Sequence, residues 1–364
     1  MADRPEVFLE SHNINNKFTG FGQFNYWLIK NLVRYNDNLN ITVTAKNKVL
    51  VEEFLPKVQF KKYHTFHRKK IFAIRKKYDL WHSLNQNSKV EPYHSIPYVL
   101  TIHDVIFLEE GLMSEKEIES KIKRLQKKID RSSAIVYISE YAKNSTNKYF
   151  NIPETAKEYV IYNGNPVNMR ENISGVTPPE GLNKPFLFSL GQFMEKKNFH
   201  TLIGMLSHLH GYQLVIGGNH NHSYKKRIEE EVKKYKLEDR VFFPGKISEE
   251  EKHYYLQNCE AFVFPSLHEG FGMPPIEAMA YGKPVFLANR TSLPEIGGEY
   301  AFFWDQFDSE YMAQIVKNGL KTFSNNPDLA NEVKNHVSKF DWSNTAREYL
   351  KVYNEVICSG KKYE

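Results

Sequence analysis

Short apolar runs, each followed by residues of helical periodicity, recur along the chain. Val7-Phe8-Leu9 predicts a strand, and after a loop from Ser11 to Gly22 the apolar positions Phe24, Trp27, Leu28, Leu32 and Tyr35 share one helical face. Ile96 to Ile102 predicts a second strand. Ile118, Ile122, Leu125 and Ile129 then recur at helical spacing in a basic helix, and Ala134 to Ile138 is the strand after it. A second series opens at Phe186 to Leu190 and continues through Gln213 to Ile216, Val241 to Phe243, Ala261 to Pro265 and Lys283 to Leu287. Strands alternating with helices predict parallel sheets, so the chain reads as α/β, twice over. In such sheets ligands bind beyond the carboxyl ends of the strands.

Composition sharpens the division. A chain of 364 residues is long enough for two domains with a full core each. The segment from Met169 to Lys184, with its Gly, Pro and Asn, reads as the joint between them. The expected domains are therefore 1–172 and 173–344. No apolar run is long enough to span a bilayer, and the first residues lack the apolar core of a secretion signal. Cys259 and Cys358 form neither a disulfide framework nor a metal cluster, so a reducing cytoplasm is the expected location.

Charge is uneven. Nine Lys or Arg and no Asp or Glu lie between Lys57 and Lys77, among Tyr63, Phe66, Phe72 and several histidines. Three readings fit: a solvated basic face, a patch for anionic lipid head groups, or a phosphate-binding surface for nucleic acid. No nucleic-acid motif accompanies the run, and the expectation is no nucleic-acid partner.

The densest chemistry is Glu269-Gly-Phe-Gly-Met-Pro-Pro-Ile-Glu277, where a glycine-rich loop joins a buried strand to a helix. Pro274-Pro275 suits a helix start, where a missing N–H costs nothing, and Gly282 suits its stop. The amides of Gly270, Phe271, Gly272 and Met273 then lie at a helix N-terminus, which favours an anion such as a diphosphate. Glu269 can accept from sugar hydroxyls. Glu277, expected in the first helical turn, can accept from a vicinal diol such as a ribose. Turn glycines, a solvated loop glutamate and a dipole-complementing glutamate are the plainer account of the same residues.

The run from Pro265 to Val285, with Ser292-Leu293-Pro294-Glu295-Ile296 after it, resembles the Glu-x7-Glu signature of the retaining glycosyltransferases of family 4. The resemblance implies a GT-B fold: two Rossmann-like domains facing across a cleft that holds a nucleotide-sugar. Gly191-Gln192-Phe193-Met194-Glu195-Lys196-Lys197-Asn198 resembles the family's Gly-x-x-x-x-Lys element, with Asn198 an expected helix N-cap. The family's lysine neutralises the donor diphosphate, and Lys197 stands in its place. Many members carry an arginine after the glycine, where this chain has Gln192.

His103-Asp104, ending the Ile96 to Ile102 strand, resembles the family's His-Asp pair, in which the histidine approaches the donor sugar and phosphate. An N-capping Asp104 beside a structurally bonded histidine is the alternative. Gly20-Phe21-Gly22 resembles an N-terminal glycine loop whose backbone approaches the diphosphate; glycine permits such an approach. Gly217-Gly218-Asn219 and Gly245-Lys246-Ile247 would flank the nucleobase by resemblance, and by composition are turns. Ser139-Glu140 and Asn163-Gly164 resemble positions near the domain junction and read as mostly structural. Phe340 to Ala346, with Tyr349, Leu350 and Tyr353, resembles the closing segment, whose helix at about 345–364 is expected to return to the first domain.

The implied function is retaining transfer of a sugar, mannose first, from a nucleoside-diphosphate sugar such as GDP-mannose to a glycan or lipid-linked saccharide in polysaccharide biosynthesis. No metal and no cofactor are implied, the nucleotide-sugar being a substrate. The implied place is the cytoplasm, with peripheral contact of Lys57–Lys77 on the inner membrane face. A catalytically silent protein of the same fold that binds sugar nucleotides or glycans is the alternative, and Gln192 is the feature that points to it.

Overall fold

The computed structural model describes residues 4–17, 19–111, 113–167, 175–219 and 223–360. Its contacts divide the chain into two units, one of residues 1–164 with 340–364, the other of 165–339. The expected crossing at 172/173 and residues 169–174 of the expected joint lie outside the described residues.

The first unit is built on seven strands: β1 (Glu6–Glu10), β2 (Asn40–Ala45), β3 (Gln59–Lys62), β4 (Leu80–Ser83), β5 (Tyr98–Ile102), β6 (Ala134–Tyr137) and β7 (Lys157–Val160). All pair in parallel, in the order β3-β2-β1-β4-β5-β6-β7. Helices α1 (Gly20–Tyr35), α2 (Glu115–Asp130) and α3 (Glu140–Tyr149) belong to this unit. Ser139 caps α3 by accepting from the Ala142 amide at 3.0 Å, the structural role expected of it.

Six parallel strands form the second sheet: β8 (Phe186–Leu190), β9 (Gln213–Gly217), β10 (Val241–Gly245), β11 (Ala261–Phe264), β12 (Val285–Ala288) and β13 (Phe302–Trp304), in the order β10-β9-β8-β11-β12-β13. Its helices are α4 (His200–Ser207), α5 (Tyr224–Tyr235), α6 (Glu249–Asn258), α7 (Met273–Ala280), α8 (Leu293–Gly297), α9 (Ser309–Asn325) and α10 (Leu329–Val337). Phe193, Phe199, Leu202, Ile203, Leu214, Ile216, Ile228 and Met312 fill its core. In each sheet chain order reverses beside the first strand, between β1 and β4 and between β8 and β11. Those reversals are where a parallel α/β sheet opens a crevice at its carboxyl edge.

Helix α11 (Trp342–Gly360) belongs to the first unit from its first turn, so the return crossing falls before Trp342 rather than after Asn344. A buried polar chain fixes it there. His82 Nδ1 pairs with the Tyr353 hydroxyl at 2.7 Å, His82 Nε2 with Thr101 Oγ1 at 2.8 Å, and Thr101 Oγ1 with the Tyr349 hydroxyl at 3.0 Å. Burial, then the nearby His103, pushes His82 down to about 3, so the ring is neutral and can both donate and accept. Gly164 touches the same helix: a Cβ there would lie 2.1 Å from the Trp342 nitrogen. The Asn163-Gly164 pair is thus a packing feature of the first unit.

Two local placements differ from expectation, the first because the Gly20-Phe21-Gly22 turn opens the helix rather than preceding it. Gly20 and Gly22 lie in the first turn of α1, capped by Thr19, whose hydroxyl accepts from the Gly22 amide at 3.2 Å. A Cβ on Gly22 would sit 1.9 Å from the Asn16 carbonyl oxygen, so this glycine serves the chain's own turn. A Cβ on Gly20 would meet nothing within 4 Å. Asn198 is no N-cap: it closes the 3-10 turn Glu195–Lys197 with φ 56°, a left-handed conformation asparagine tolerates, and Phe199 precedes α4.

Candidate functional site

The reversal of the second sheet brings two loops together. The loop after β8 carries Gly191 to Lys197, and the loop after β11 carries Pro265 to Gly272. The Lys196 carbonyl accepts from the Leu267 amide at 2.8 Å and from Ser266 Oγ at 3.3 Å, which docks one loop on the other. That docking aligns the next residues: Lys197 Nζ pairs with Glu269 Oε1, which also accepts from Ser266 Oγ at 2.7 Å. The ammonium lies over the Phe264 ring, 4.9 Å from its centroid. The lysine and glutamate side chains are 14% and 16% exposed, enough for a ligand to reach and little enough to strengthen their charges.

Beyond Glu269 the glycine turn is held by the loop after β12. The Glu269 amide donates to Thr291 Oγ1 at 3.1 Å, and Ser292 Oγ reaches the carbonyls of Glu269 at 3.0 Å and Phe271 at 2.7 Å. Gly272 has φ 117°, and a Cβ on it would lie 3.0 Å from the Leu293 side chain, so a glycine is required there. Met273 is the first residue of α7, with Pro274 and Pro275 next. The opening amides of a helix have no partner within it and carry its positive dipole end.

Glu277 falls in the second turn of α7, one residue past the expected first turn, which weakens the dipole account of it. It is buried, and its Oε1 accepts from Lys252 Nζ of α6 at 3.0 Å. Burial raises the Glu277 carboxyl above its usual range and the Lys252 ammonium partly offsets that. Burial lowers Lys252, but Glu277 and Glu249 outweigh it and hold the ammonium above its ordinary value.

Gly191, Gly218 and Gly245 end three adjacent strands. The Gly191 amide donates to the Gly217 carbonyl at 3.0 Å and the Gly218 amide to the Gly245 carbonyl at 2.7 Å. Gln192 and Lys246 are exposed, Ile247 half-buried. The Ile247 side chain packs within 3.1 Å of where a Cβ on Gly217 would stand.

In the first unit, His103 follows β5. Its Nε2 donates to the Leu84 carbonyl at 2.9 Å, and it meets the rings of Phe21 and Phe24 edge-on, at centroid distances of 4.8 and 4.6 Å. Burial pushes it down to about 4, against the opposing effect of the Leu84 carbonyl. A neutral ring with its proton on Nε2 leaves Nδ1 as an acceptor, which suits a hydroxyl and not a phosphate oxygen. Gln86 clamps the peptide after it: Oε1 accepts from the His103 amide at 3.1 Å and Nε2 donates to the Asp104 carbonyl at 2.8 Å. Asp104 Oδ1 accepts from the Ile106 amide at 3.3 Å, so its carboxylate serves its own loop.

Sequence reasoning did not assign Lys252, Thr291, Ser292 or Gln86 to the site. For Lys252 the signal was present: it lies three and four residues before the buried Tyr255 and Leu256, a lysine on a core-facing stripe. Gln86, Thr291 and Ser292 act through backbone groups, which no spacing rule marks.

The chain is similar to known proteins in sequence and in fold. The chain is 26% identical over 289 residues to the serotype-specific mannosyltransferase WbdA of Escherichia coli, covering 74% of this chain and 35% of that protein. It therefore spans about a third of that relative's length. It is 25% identical over 259 residues to the O-antigen chain mannosyltransferase RfbU of Salmonella typhimurium, covering 69% of each. Among solved structures, the sucrose-phosphate synthase of Thermosynechococcus elongatus superposes with a TM-score of 0.74 at 18% identity, over 98% of this chain and 100% of that one. Anabaena HepE in complex with UDP-glucose gives 0.74 at 19% identity, over 97% of this chain and 100% of that one. The fold of two Rossmann-like units is thus the GT-B fold of these glycosyltransferase structures. Residues 176–337, which contain Lys197, Lys252, Glu269 and Glu277, match the family model of glycosyl transferases group 1.

Proposed function

We propose that the protein is a retaining glycosyltransferase of family 4 that moves a sugar from a nucleoside-diphosphate sugar to a glycan or lipid-linked saccharide in polysaccharide biosynthesis. The observation that carries this reading is the Lys197–Glu269 pair at the strand-order reversal of the second sheet, next to the glycine turn that enters α7. Cleavage of the donor leaves a nucleoside diphosphate, whose growing charge Lys197 and the amides of Gly270 to Met273 stabilise as preorganised donors. Before donor binds, Lys197 is neutralised by Glu269. A diphosphate attracts the ammonium, which frees the carboxylate to accept from hydroxyls of the donor sugar. Glu277 accepts from the ribose diol, and His103 Nδ1 from a sugar hydroxyl. The positive charge meeting the diphosphate is that of Lys197, so the reaction is proposed to run without a metal. Attack from the face the diphosphate leaves, with a phosphate oxygen as base, retains configuration.

GDP-mannose is the first donor to test, since mannosyltransferases are among the relatives. Thermal shifts with GDP, UDP and ADP, followed by transfer assays with the corresponding sugars, decide it. Ligand at about a hundredfold over its Kd adds roughly 2.7 kcal/mol, a few degrees in a chain this size. A shift with GDP and mannose release from GDP-mannose are expected. A shift without transfer from any sugar makes the protein the silent binder that Gln192 suggests, and no shift with any nucleotide overturns the donor reading.

A second reading concerns where the protein works. In the basic stretch Lys57–Lys77, Ile71 is 71% exposed, Phe72 52% and Phe66 46%, and the Phe66 and Phe72 rings touch edge to face. Apolar side chains raised among lysines and arginines suit an anionic membrane, where the chains enter the interface and the cations meet head groups. Among the described residues no helix is long and apolar enough to cross a membrane, so the proposed contact is peripheral, on the cytoplasmic face. Flotation with vesicles containing phosphatidylserine at low salt should carry the protein upward, and Ile71→Glu with Phe72→Glu should abolish it. No flotation of the wild type removes this reading.

A further inference from the structure

We infer that Lys252 is a positioning residue for nucleotide recognition: it holds Glu277 ionised and pins one of its oxygens, so that the other is presented to a vicinal diol. The inference rests on the proposed ribose role of Glu277. Lys252 comes from α6, outside the Glu269–Glu277 segment, and both side chains are almost wholly buried, 8% and 5% exposed. Its Nζ stands 3.0 Å from Glu277 Oε1 and 2.7 Å from Glu249 Oε2. Glu249 is mostly exposed and can satisfy itself with water, whereas Glu277 cannot, so the buried partner is the one that depends on the lysine.

The chemistry follows from burial. A buried carboxylate without a partner protonates rather than stay charged. Protonated, Glu277 accepts from hydroxyls weakly. Ionised and free to rotate, it would share two equivalent oxygens between lysine and ligand. With Oε1 held by Lys252, Oε2 keeps one direction, and the ammonium favours the charged carboxylate against the burial that raises it. Charge-assisted bonds of that kind are short and about twice as strong as neutral ones. The result is a fixed acceptor that rewards adjacent hydroxyls and gives nothing to a ring without them.

The test compares GDP, UDP and ADP with their 2′,3′-dideoxy forms by equilibrium binding, in the wild type and in Glu277→Gln, Lys252→Met, Lys252→Gln and Lys252→Arg. The wild type should prefer the diol form of the nucleotide it binds by tenfold or more, and Glu277→Gln should lose that preference. Lys252→Met and Lys252→Gln should lose it equally while binding the dideoxy form as the wild type does, and Lys252→Arg should restore it. Lys252→Gln is one heavy atom shorter than lysine but keeps a polar donor, so it serves where removing the ammonium between Glu249 and Glu277 unfolds the methionine variant. Full diol preference in folded Lys252→Gln overturns the role of Lys252 and leaves that of Glu277 standing. No diol preference in the wild type overturns the ribose reading, and this inference with it.

Discussion

Transfer should fall by a thousandfold or more in Glu269→Ala, with binding of the nucleoside diphosphate kept or tightened. Removing a single preorganised group at a charged transition state costs about 10²–10³ in rate, and Glu269, proposed to orient the donor sugar, also pairs with Lys197. The two effects separate in sign. Without the carboxylate, Lys197 has no competitor for the diphosphate, so the nucleotide's thermal shift grows or stays. Lys197→Met should instead lose nucleotide shift and transfer together. The loop should keep its course in Glu269→Ala, because Thr291 and Ser292 hold residue 269 through its amide and carbonyl. Wild-type turnover in Glu269→Ala overturns the assignment; lost turnover with lost nucleotide binding would place Glu269 in building the site, not in the reaction.

Ser266 tests the same geometry from behind. Its hydroxyl reaches both Glu269 Oε1 and the Lys196 carbonyl, so it ties the direction of the carboxylate to the docking of the two loops. This is why the pair forms at all from residues seventy-two positions apart. The sequence carries the two motifs; the sheet order makes them neighbours.

How far the sequence could be read depended on burial. Strands buried on both faces, such as Tyr98–Ile102 and Phe186–Leu190, stand out as apolar runs. Asn40–Ala45 does not, because Thr42 and Thr44 are buried polar residues in a strand next to the sheet edge, with Thr44 Oγ1 accepting from the Ser11 amide at 2.9 Å. Gln59–Lys62 and Lys157–Val160 are edge strands with charged, exposed positions, and edges carry little apolar signal. In the candidate site the glutamates and glycines stand out by their spacing around a local turn, whereas Lys197 was singled out only because Gly191 to Asn198 resembles a family element. Lys252 was passed over because its place on the stripe of Tyr255 and Leu256 competes with a plainer one, a surface pair three residues after Glu249, and only the packing of α6 decides between them. Asn198 misled for a similar reason: asparagine serves both as an N-cap and at left-handed positions, and only the backbone decides.

The glycines give the sharpest contrast, and Gly218→Ala should be among the most damaging single changes in the second unit. Gly218 has φ 139°, where side chains are strained, and an added Cβ would lie 1.8 Å from the Gly191 carbonyl oxygen and 2.7 Å from its carbon. Neither backbone can retreat. The Gly191 amide is bonded to Gly217, the Gly218 amide to Gly245, and the Phe193 amide to the Asn219 carbonyl at 3.1 Å. Relief must therefore displace the turn from Gly191 to Lys197 or break the strand ends, a cost beyond about 4 kcal/mol. A fall in melting temperature together with a lost nucleotide shift is the expected result. Gly20→Ala is the control: a helical position with open space, where alanine should be neutral or stabilise by up to about 1 kcal/mol. If Gly20→Ala leaves both melting and nucleotide shift intact, the Gly20-Phe21-Gly22 turn is a packing device. If it abolishes the shift while the fold is unchanged, the backbone of that turn does approach the ligand. A Gly218→Ala protein that melts and binds as the wild type does would mean that the three glycine strand ends do not shape the nucleotide site.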